Sequence, residues 1–302
     1  MKSVWVIVIH YNGEKWIRPC LQSLTNSIYP INVIVIDNKS TNQEGVDIIK
    51  KEFNQFTFVQ TDKNIGFGRA NNIGIQKAIE QNADYVFCLN QDAWIEPDTI
   101  GKLVDIAIAN PDFGIISPLH LNEQKTEFEN GFYKYLIQNE EIVSNIYFQK
   151  IKHIYNVEFV NAAAWFISSE CLRKVGLFDE IFFMYGEDLN YTYRVHYHGF
   201  KIGITPFAVI SHVREKPTLN KNSKNIWKNN EKYKIQGLLL AILTNINQSF
   251  YTQIKSFFTH VLKIAFSYNK KLIVFVYGMS VLLKLRYVRK SRKHNREIKS
   301  WF

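Results

Sequence analysis

At 302 residues with 46% apolar side chains, the chain can bury one large core, or a core with an appendage, which excludes a chain too polar to fold. The net charge of +10 is unevenly spread: from Lys284 to Lys299 come Lys284, Arg286, Arg289, Lys290, Arg292, Lys293, Arg296 and Lys299 against only Glu297, so this tail needs an explanation separate from the main body. Three cysteines, Cys20, Cys88 and Cys171, share no metal-ligand spacing, which excludes a cysteine metal cluster and fits a reducing cytoplasm.

Met1-Lys2-Ser3 runs directly into Val4 to Ile9, leaving no room for a signal peptide. Val4 to Ile9 is continuous and mostly β-branched, as a strand buried on both faces should be. Tyr11-Asn12-Gly13 then leads into a helix carrying Trp16, Ile17, Leu21 and Leu24 at helical spacing. Strands are predicted over Asn32 to Ile36, Phe56 to Gln60 and Tyr85 to Leu89, with a helix over Arg69 to Gln81 before the last of them. Pro97 is placed at about the first position of a further helix. This rhythm of strand and helix means a parallel α/β sheet. The second half is less regular. A strand is predicted over Glu158 to Ile167 and an N-cap at Ser168-Ser169-Glu170. An aromatic loop follows over Phe178 to Tyr185, then a helix over Glu187 to His198. A pair of strands over Phe200 to Ile204 and Phe207 to Ile210 closes the sheet. The Lys- and Asn-rich stretch from 213 to about Tyr233 is predicted as a mobile loop, and from Ile235 the pattern turns helical and apolar.

Open parallel sheets bind ligands at the carboxyl ends of their strands. Here those ends carry Tyr11 and Asn12, Asp37 and Asn38, Asp62 and Asn64, and Asn90 and Asp92. Asp92, just past a buried strand, can hold a divalent ion that bridges two phosphates, or it can cap the helix that follows. Glu187 and Asp188 at a predicted helix start can supply a general base, or can serve only the helix dipole. His212 at a strand end can be a metal ligand or a structural histidine. The turn from Asp62 to Asn72, with Gly66 and Gly68, permits close backbone approach to a ligand but is neither a Walker loop nor Gly-x-Gly-x-x-Gly. The 16 Tyr, 22 Phe and 6 Trp fit sugar-stacking walls and ordinary core packing alike.

Taken in order, Val-Ile-His-Tyr-Asn-Gly, Val-Ile-Asp37-Asn-Lys-Ser-Thr, Asn64-Ile-Gly-Phe-Gly-Arg-Ala-Asn-Asn72, Leu-Asn90-Gln-Asp92, Gly-Glu187-Asp188-Leu-Asn-Tyr-Thr-Tyr-Arg194 and His212 resemble glycosyltransferase family 2 over about residues 3 to 215. The resemblance implies a Rossmann-like, mostly parallel sheet of the glycosyltransferase A type, with a helical, basic C-terminal extension. Together with the helical, apolar pattern from Ile235, this divides the chain into a catalytic domain at 1–234 and an extension at 235–302. It implies an inverting transfer from a nucleotide-sugar donor, dTDP-rhamnose or a UDP-sugar, to a glycan or lipid-linked glycan acceptor in cell-surface polysaccharide or O-antigen assembly. Rhamnosyltransferase-like members share the Asn-x-Gly-Phe-Gly and Gln-Asp segments. By the same resemblance, Tyr11, Asn12, Asp37, Asn64, Gly66, Asn72, Asn90 and Gln91 face the nucleotide sugar. Asp92 and His212 hold Mg²⁺ or Mn²⁺, Asp188 is the base with Glu187 beside it, and Trp165, Tyr185 and Arg194 face the acceptor. One departure stands out: Asn90 replaces the first acid of the family's Asp-x-Asp.

The apolar run Leu272 to Leu283 is too short to span a bilayer. Helices from about Ile254 with apolar faces, followed by a basic run, point to peripheral association with the anionic inner face of the plasma membrane, or to packing on the catalytic domain. No nucleic-acid recognition module is present, so no specific nucleic-acid partner is expected. The rival functions are a nucleotidyltransferase, whose triphosphate loop His10-Tyr11-Asn12-Gly13 does not supply, and a silent fold member acting as an assembly partner.

Overall fold

The computed structural model describes residues 1–213, 221–267 and 271–297. The chain begins β1 (Val4–His10), α1 (Glu14–Thr25), β2 (Asn32–Asp37), α2 (Glu44–Glu52), β3 (Thr57–Gln60), α3 (Phe67–Glu80), β4 (Tyr85–Asn90). It continues β5 (Ala93–Ile95), α4 (Thr99–Ala109), β6 (Phe113–Leu121), α5 (Asn130–Ile137), α6 (Glu140–Tyr147), β7 (Tyr155–Asn156), β8 (Ala164–Ser168), α7 (Ser169–Val175), α8 (Glu187–Tyr197) and β9 (Lys201–His212). Four helices follow: α9 (Lys221–Thr244), α10 (Phe250–Ser267), α11 (Lys271–Leu282) and α12 (Leu285–Arg296).

All the strands join one sheet in the order β3-β2-β1-β4-β8-β6-β9-β5, with β7 pairing on β9. β3, β2, β1 and β4 are mutually parallel, β8 runs antiparallel between β4 and β6, and β6 pairs parallel with β9. The architecture is therefore the α/β, mostly parallel sheet with a helical C-terminal region that the sequence implies. Both faces are covered, and the alternation along the strands shows it. Ile7, Ile34, Ile36, Val86 and Cys88 join one core layer; Val6, Val8, Val33, Val35, Phe87 and Leu89 join the opposite one. Each such side chain contributes about 1.5–3 kcal/mol of burial, which fixes the register of the strands and hence the height of their carboxyl ends. All three cysteines are free and buried in this core, and burial pushes their thiol pKa values up, that of Cys88 to about 12.

Several local expectations are corrected. Pro97 precedes the helix rather than opening it, because Asp98 occupies the N-cap position and α4 starts at Thr99. The strand expected from Glu158 is confined to Ala164–Ser168, residues 158–163 belonging to no named strand; Ser168 does cap α7 by accepting from the Cys171 N–H. The expected strand pair at 200–210 is one strand, β9. Pro206, with no N–H to give, sits where its register against β6 shifts between Pro118 and Leu119, so the chain bulges and continues. The loop expected to Tyr233 is helical from Lys221, in keeping with the absence of Gly and Pro between Lys221 and Gln236. Its part at 214–220, like Lys299, lies outside the described residues.

The C-terminal helices build a third apolar cluster. Leu239, Leu240, Ala241, Ile242 and Leu243 of α9 are buried in it with Phe257, Val261, Val274, Val281 and Val288, and Phe182 enters from the aromatic loop. Buried Arg292 of α12 closes the end of α9, donating to the carbonyls of Leu243 (3.0 Å), Asn245 and Gln248 (2.7 Å). Among the described residues no helix is long and apolar enough to cross a membrane.

Candidate active site

β1 ends at His10, and the two residues after it are held rather than loose. Gln91 Oε1 accepts from the Tyr11 N–H (3.1 Å) and from His10 Nδ1 (2.8 Å), while its Nε2 donates to the Tyr11 carbonyl (3.1 Å). Burial lowers the pKa of His10, so this clamp is made by a neutral imidazole. Asn12, in the left-handed region at φ 47°, accepts on Oδ1 from the N–H groups of Thr41 (2.8 Å) and Asn42 (3.2 Å), tying the loop after β2 to the loop after β1. Asp37 is fully buried and accepts from the Ser40 N–H (3.2 Å) and Gln60 Nε2 (2.8 Å). Asn38 donates to Asn64 Oδ1 (3.1 Å) and accepts from the Ile65 N–H (2.9 Å), so β2 also shapes the turn before α3. Gly66 lies at φ 90°, where a Cβ would stand 2.0 Å from the Phe183 carbonyl oxygen, and only glycine lets the two segments meet.

These strand ends surround a cleft of about 420 Å³ where the strand order turns back at β1 and β4. Its lining comes from Tyr11, Asn38, Asn64, Asn90, Gln91 and Asp92 in the first part of the chain and from Asn161 to Ala163, Met184, Tyr185, Glu187, Asp188 and His212 in the second. Asp92 and His212 meet because β5 pairs antiparallel with β9, Ala93 opposite His212. Asp92 Oδ1 lies 3.5 Å from His212 Nε2. Donors on adjacent positions of one ion, each about 2.1 Å from it, stand roughly 3 Å apart, so an oxygen and an imidazole nitrogen at this separation fit a shared divalent ion. Among the described residues no group of three or more His, Cys, Asp or Glu gathers to enclose a metal. Two protein donors leave coordination positions for phosphate oxygens and water, the arrangement suited to a metal that arrives with a diphosphate.

The start of α8 lines the same cleft. Tyr185 and Gly186 take φ values of 64° and 84°, and the tyrosine in that region costs about 1 kcal/mol or more. That strained turn swings Glu187 and Asp188 into the first turn of the helix, where unpaired N–H groups favour negative charge. Glu187 is nonetheless buried, and burial, reinforced by the charge of Asp188, pushes its pKa up to about 8. The raised pKa favours the protonated form of Glu187. Asp188 lines the cleft, with Oδ1 accepting from the Leu189 N–H (2.8 Å). The turn is braced from behind by α9: a Cβ on Gly237 would lie 2.1 Å from the Tyr185 carbonyl oxygen.

Of the residues the sequence nominates, the fold gathers Tyr11, Asn64, Asn90, Gln91, Asp92, Tyr185, Glu187, Asp188 and His212 on this cleft. Asn12, Asp37 and Gly66 stand behind its wall and shape the loops. Trp165, Arg194 and Asn72 are elsewhere, a correction with a common cause. Trp165 is fully buried, stacked on Phe178 and donating to the Val160 carbonyl (3.2 Å). Arg194, 1% exposed, donates to the carbonyls of Leu177 (2.7 Å) and Val175. Asn72 clasps the backbone of Phe178, donating to its carbonyl and accepting from its N–H, both at 2.9 Å. All three hold the segment 175–178 that carries the chain into the aromatic loop. Sequence reasoning missed Asn38, Phe67, Asn161 and Met184 as lining residues. Asn38 was signalled by its place beside Asp37 at a strand end; Asn161 was hidden inside a predicted strand.

A mostly parallel sheet with a polar cleft at its switch point defines a Rossmann-like nucleotide-binding fold. Residues 5–171 match the model of the family described as Glycosyl transferase family 2, and the chain belongs to that family. It is 28% identical over 197 residues to the glycosyltransferase GlyA of Streptococcus pneumoniae serotype 4, an alignment covering 61% of this chain but only 26% of GlyA. Residues 1–349 of TarS from S. aureus, solved with UDP-GlcNAc, superpose with a TM-score of 0.59 at 16% identity, over 97% of this chain and 89% of that one. The mannosyltransferase PcManGT of Pyrobaculum calidifontis, solved with GDP-Man and Mn²⁺, superposes with a TM-score of 0.58 at 16% identity, over 97% and 84% of the two chains. These likenesses establish the glycosyltransferase A-type fold.

Proposed function

We propose that the chain is an inverting glycosyltransferase that moves one sugar from a nucleoside-diphosphate sugar to a hydroxyl of a glycan or lipid-linked glycan during cell-surface polysaccharide synthesis. The observation that supports this reading is the cleft itself, whose lining includes both the Asp92–His212 pair and Asp188. Tyr11, partly exposed, offers its ring to a base, and Asn64 and Asn90 offer neutral hydrogen-bonding groups to the rest of the donor. Asp92 and His212 would hold Mg²⁺ or Mn²⁺, which when bound neutralises the charge of the departing diphosphate. The Asp188 carboxylate takes the proton of the acceptor hydroxyl. That oxygen forms a bond to the anomeric carbon as the bond to the diphosphate oxygen breaks, and the diphosphate leaves with the electron pair. A single displacement from the opposite side inverts the anomeric centre. Protonated Glu187 adds no second negative charge beside the base, and Tyr185, on the same rim, is assigned to the acceptor.

The donor is proposed to be dTDP-rhamnose or a UDP-sugar; the UDP-GlcNAc held by TarS supports the second. Mn²⁺ beside GDP-Man in PcManGT supports a divalent metal. Residues 1–234 are proposed as the catalytic domain and 235–302 as an extension that keeps the enzyme at the cytoplasmic face of the membrane.

The test is nucleoside-diphosphate release from a panel of nucleotide sugars, with and without chelator, alongside Asp188→Asn. Chelator-sensitive release from one donor is expected, with Asp188→Asn losing transfer while still binding that donor. Near-normal turnover by Asp188→Asn would refute the base assignment. Silence across the panel, with no metal-dependent donor binding, would favour an assembly role, for which Asn90 in place of an acid is the one structural argument.

A further inference from the structure

Buried and exposed apolar stripes run side by side on α10. Phe257, Val261 and Ala265 face the interior, four residues apart. Phe258, Leu262 and Phe266 repeat at the same spacing one position further on, with Phe266 75% exposed. α11 does the same. Val274 and Val281 are buried, while Leu272, Val276 and Met279 stand out, Leu272 77% exposed. Gly278 lets the two helices approach, for a Cβ there would sit 3.2 Å from Val261 Cγ2. The result is a two-helix apolar face of a kind that monomeric proteins seldom leave to water.

Along the helices themselves the charge is of one sign, the nearby acids Asp179 and Glu180 lining a pocket with Lys284 and Lys290 on the α12 side. Every Asp, Glu, Lys or Arg from 235 to 296 is a Lys or an Arg. Lys255 and Lys263 on α10 are exposed, as are Lys284, Arg286, Arg289, Lys290 and Lys293 at and beyond the end of α11. α12 cannot turn these charges inward, because Val288, Arg292 and Asn295 lock its other side to the body of the protein.

We propose that the exposed face of α10 and α11 is an interfacial docking surface for an anionic lipid bilayer. The apolar side chains enter the headgroup–acyl boundary while the surrounding Lys and Arg side chains meet lipid phosphates. A second copy of the chain is the other apolar partner at hand, but it would bring two basic rims together with no acid from 235 to 296 to offset them. The inference deepens the membrane placement proposed above and rests on it for the cytoplasmic setting. It does not depend on the donor, the metal or turnover.

Flotation of the full chain with vesicles of phosphatidylcholine alone, and of phosphatidylcholine with phosphatidylglycerol, tests it. The protein should float with the anionic vesicles, less so as salt is raised. The double variants Phe266→Ser/Leu272→Ser and Arg286→Gln/Lys293→Gln should each reduce partitioning roughly tenfold or more, with unchanged melting temperatures as the control for folding. Nucleoside-diphosphate release in vesicle-free solution, read on the same samples, should be unchanged in both, which separates failure of docking from failure of the catalytic reading. No flotation with anionic vesicles overturns the proposal, as does a solution dimer that Phe266→Ser/Leu272→Ser converts to monomer without any lipid present.

Discussion

Glu187 and Asp188 are neighbours in sequence to which the proposed function gives opposite tasks. Burial raises the Glu187 pKa from an ordinary 4.5 to about 8, so across that window the folded chain holds a proton that the unfolded chain has released. Where the native state binds more protons, stability falls as pH rises. The melting temperature should therefore decline from about pH 5 to pH 8, and Glu187→Gln should flatten that slope; thermal melts of both proteins across this range decide it. Arg194 makes a second case. Arg194→Met would leave the Val175 and Leu177 carbonyls without their buried donor, at a cost of about 3 kcal/mol. Urea denaturation should show that loss, while the acceptor KM of the surviving folded protein stays near the parent's; a selective rise in KM would return Arg194 to the acceptor site. Positions such as Arg194 and Trp165 explain the limits of what the sequence disclosed. A motif marks which residues matter without separating those that meet a ligand from those that hold the loop behind it. Asp92 and His212 were legible because each sits at a strand end, and strand ends share a rim. Asn161 was not, because nothing in Val160-Asn161-Ala162-Ala163 signals that the chain stops pairing there.

At the level of elements, β1 to β4 were legible, since runs such as Val4 to Ile9 admit one arrangement when helices cover both faces, whereas α2, β5 and β6 went unpredicted. The later part was not. Pro206 divided one strand into two on paper, whereas the sheet absorbs it as a bulge, and the polar sequence at the start of α9 masked a helix whose final residues, Leu239 to Thr244, are buried. That helix has a direct bearing on the site through Gly237. Gly237→Ala would drive a methyl group into the Tyr185 carbonyl and shift the turn that aims Asp188. A displacement of about 1 Å can cost on the order of a hundredfold in rate. Turnover should fall by that order while donor affinity, assigned by the proposed function to the loops after β1, β2 and β4, changes little; equal losses in both would show that α9 supports the fold and not the aim of the base.

For the whole molecule, the sheet and the C-terminal helices are joined by burial as well as by chain. Leu239 to Leu243 are covered by α10 to α12, and Arg292 satisfies carbonyls at the end of α9. A chain ending at Gln248 would expose that apolar segment and orphan those carbonyls, so it should melt at a lower temperature and aggregate more readily than the full chain. Calorimetry and light scattering on the two proteins would show this; identical melts would mean that the helices add nothing to the stability of the sheet. Finally, because Cys20, Cys88 and Cys171 lie in the core with their thiols held protonated, the native protein is nearly inert to thiol reagents. One cysteine added to the surface would be the sole point of attachment for a fluorescent or spin label, with no prior removal of native thiols. Placed along α10 or α11, such a label makes the molecule its own depth gauge.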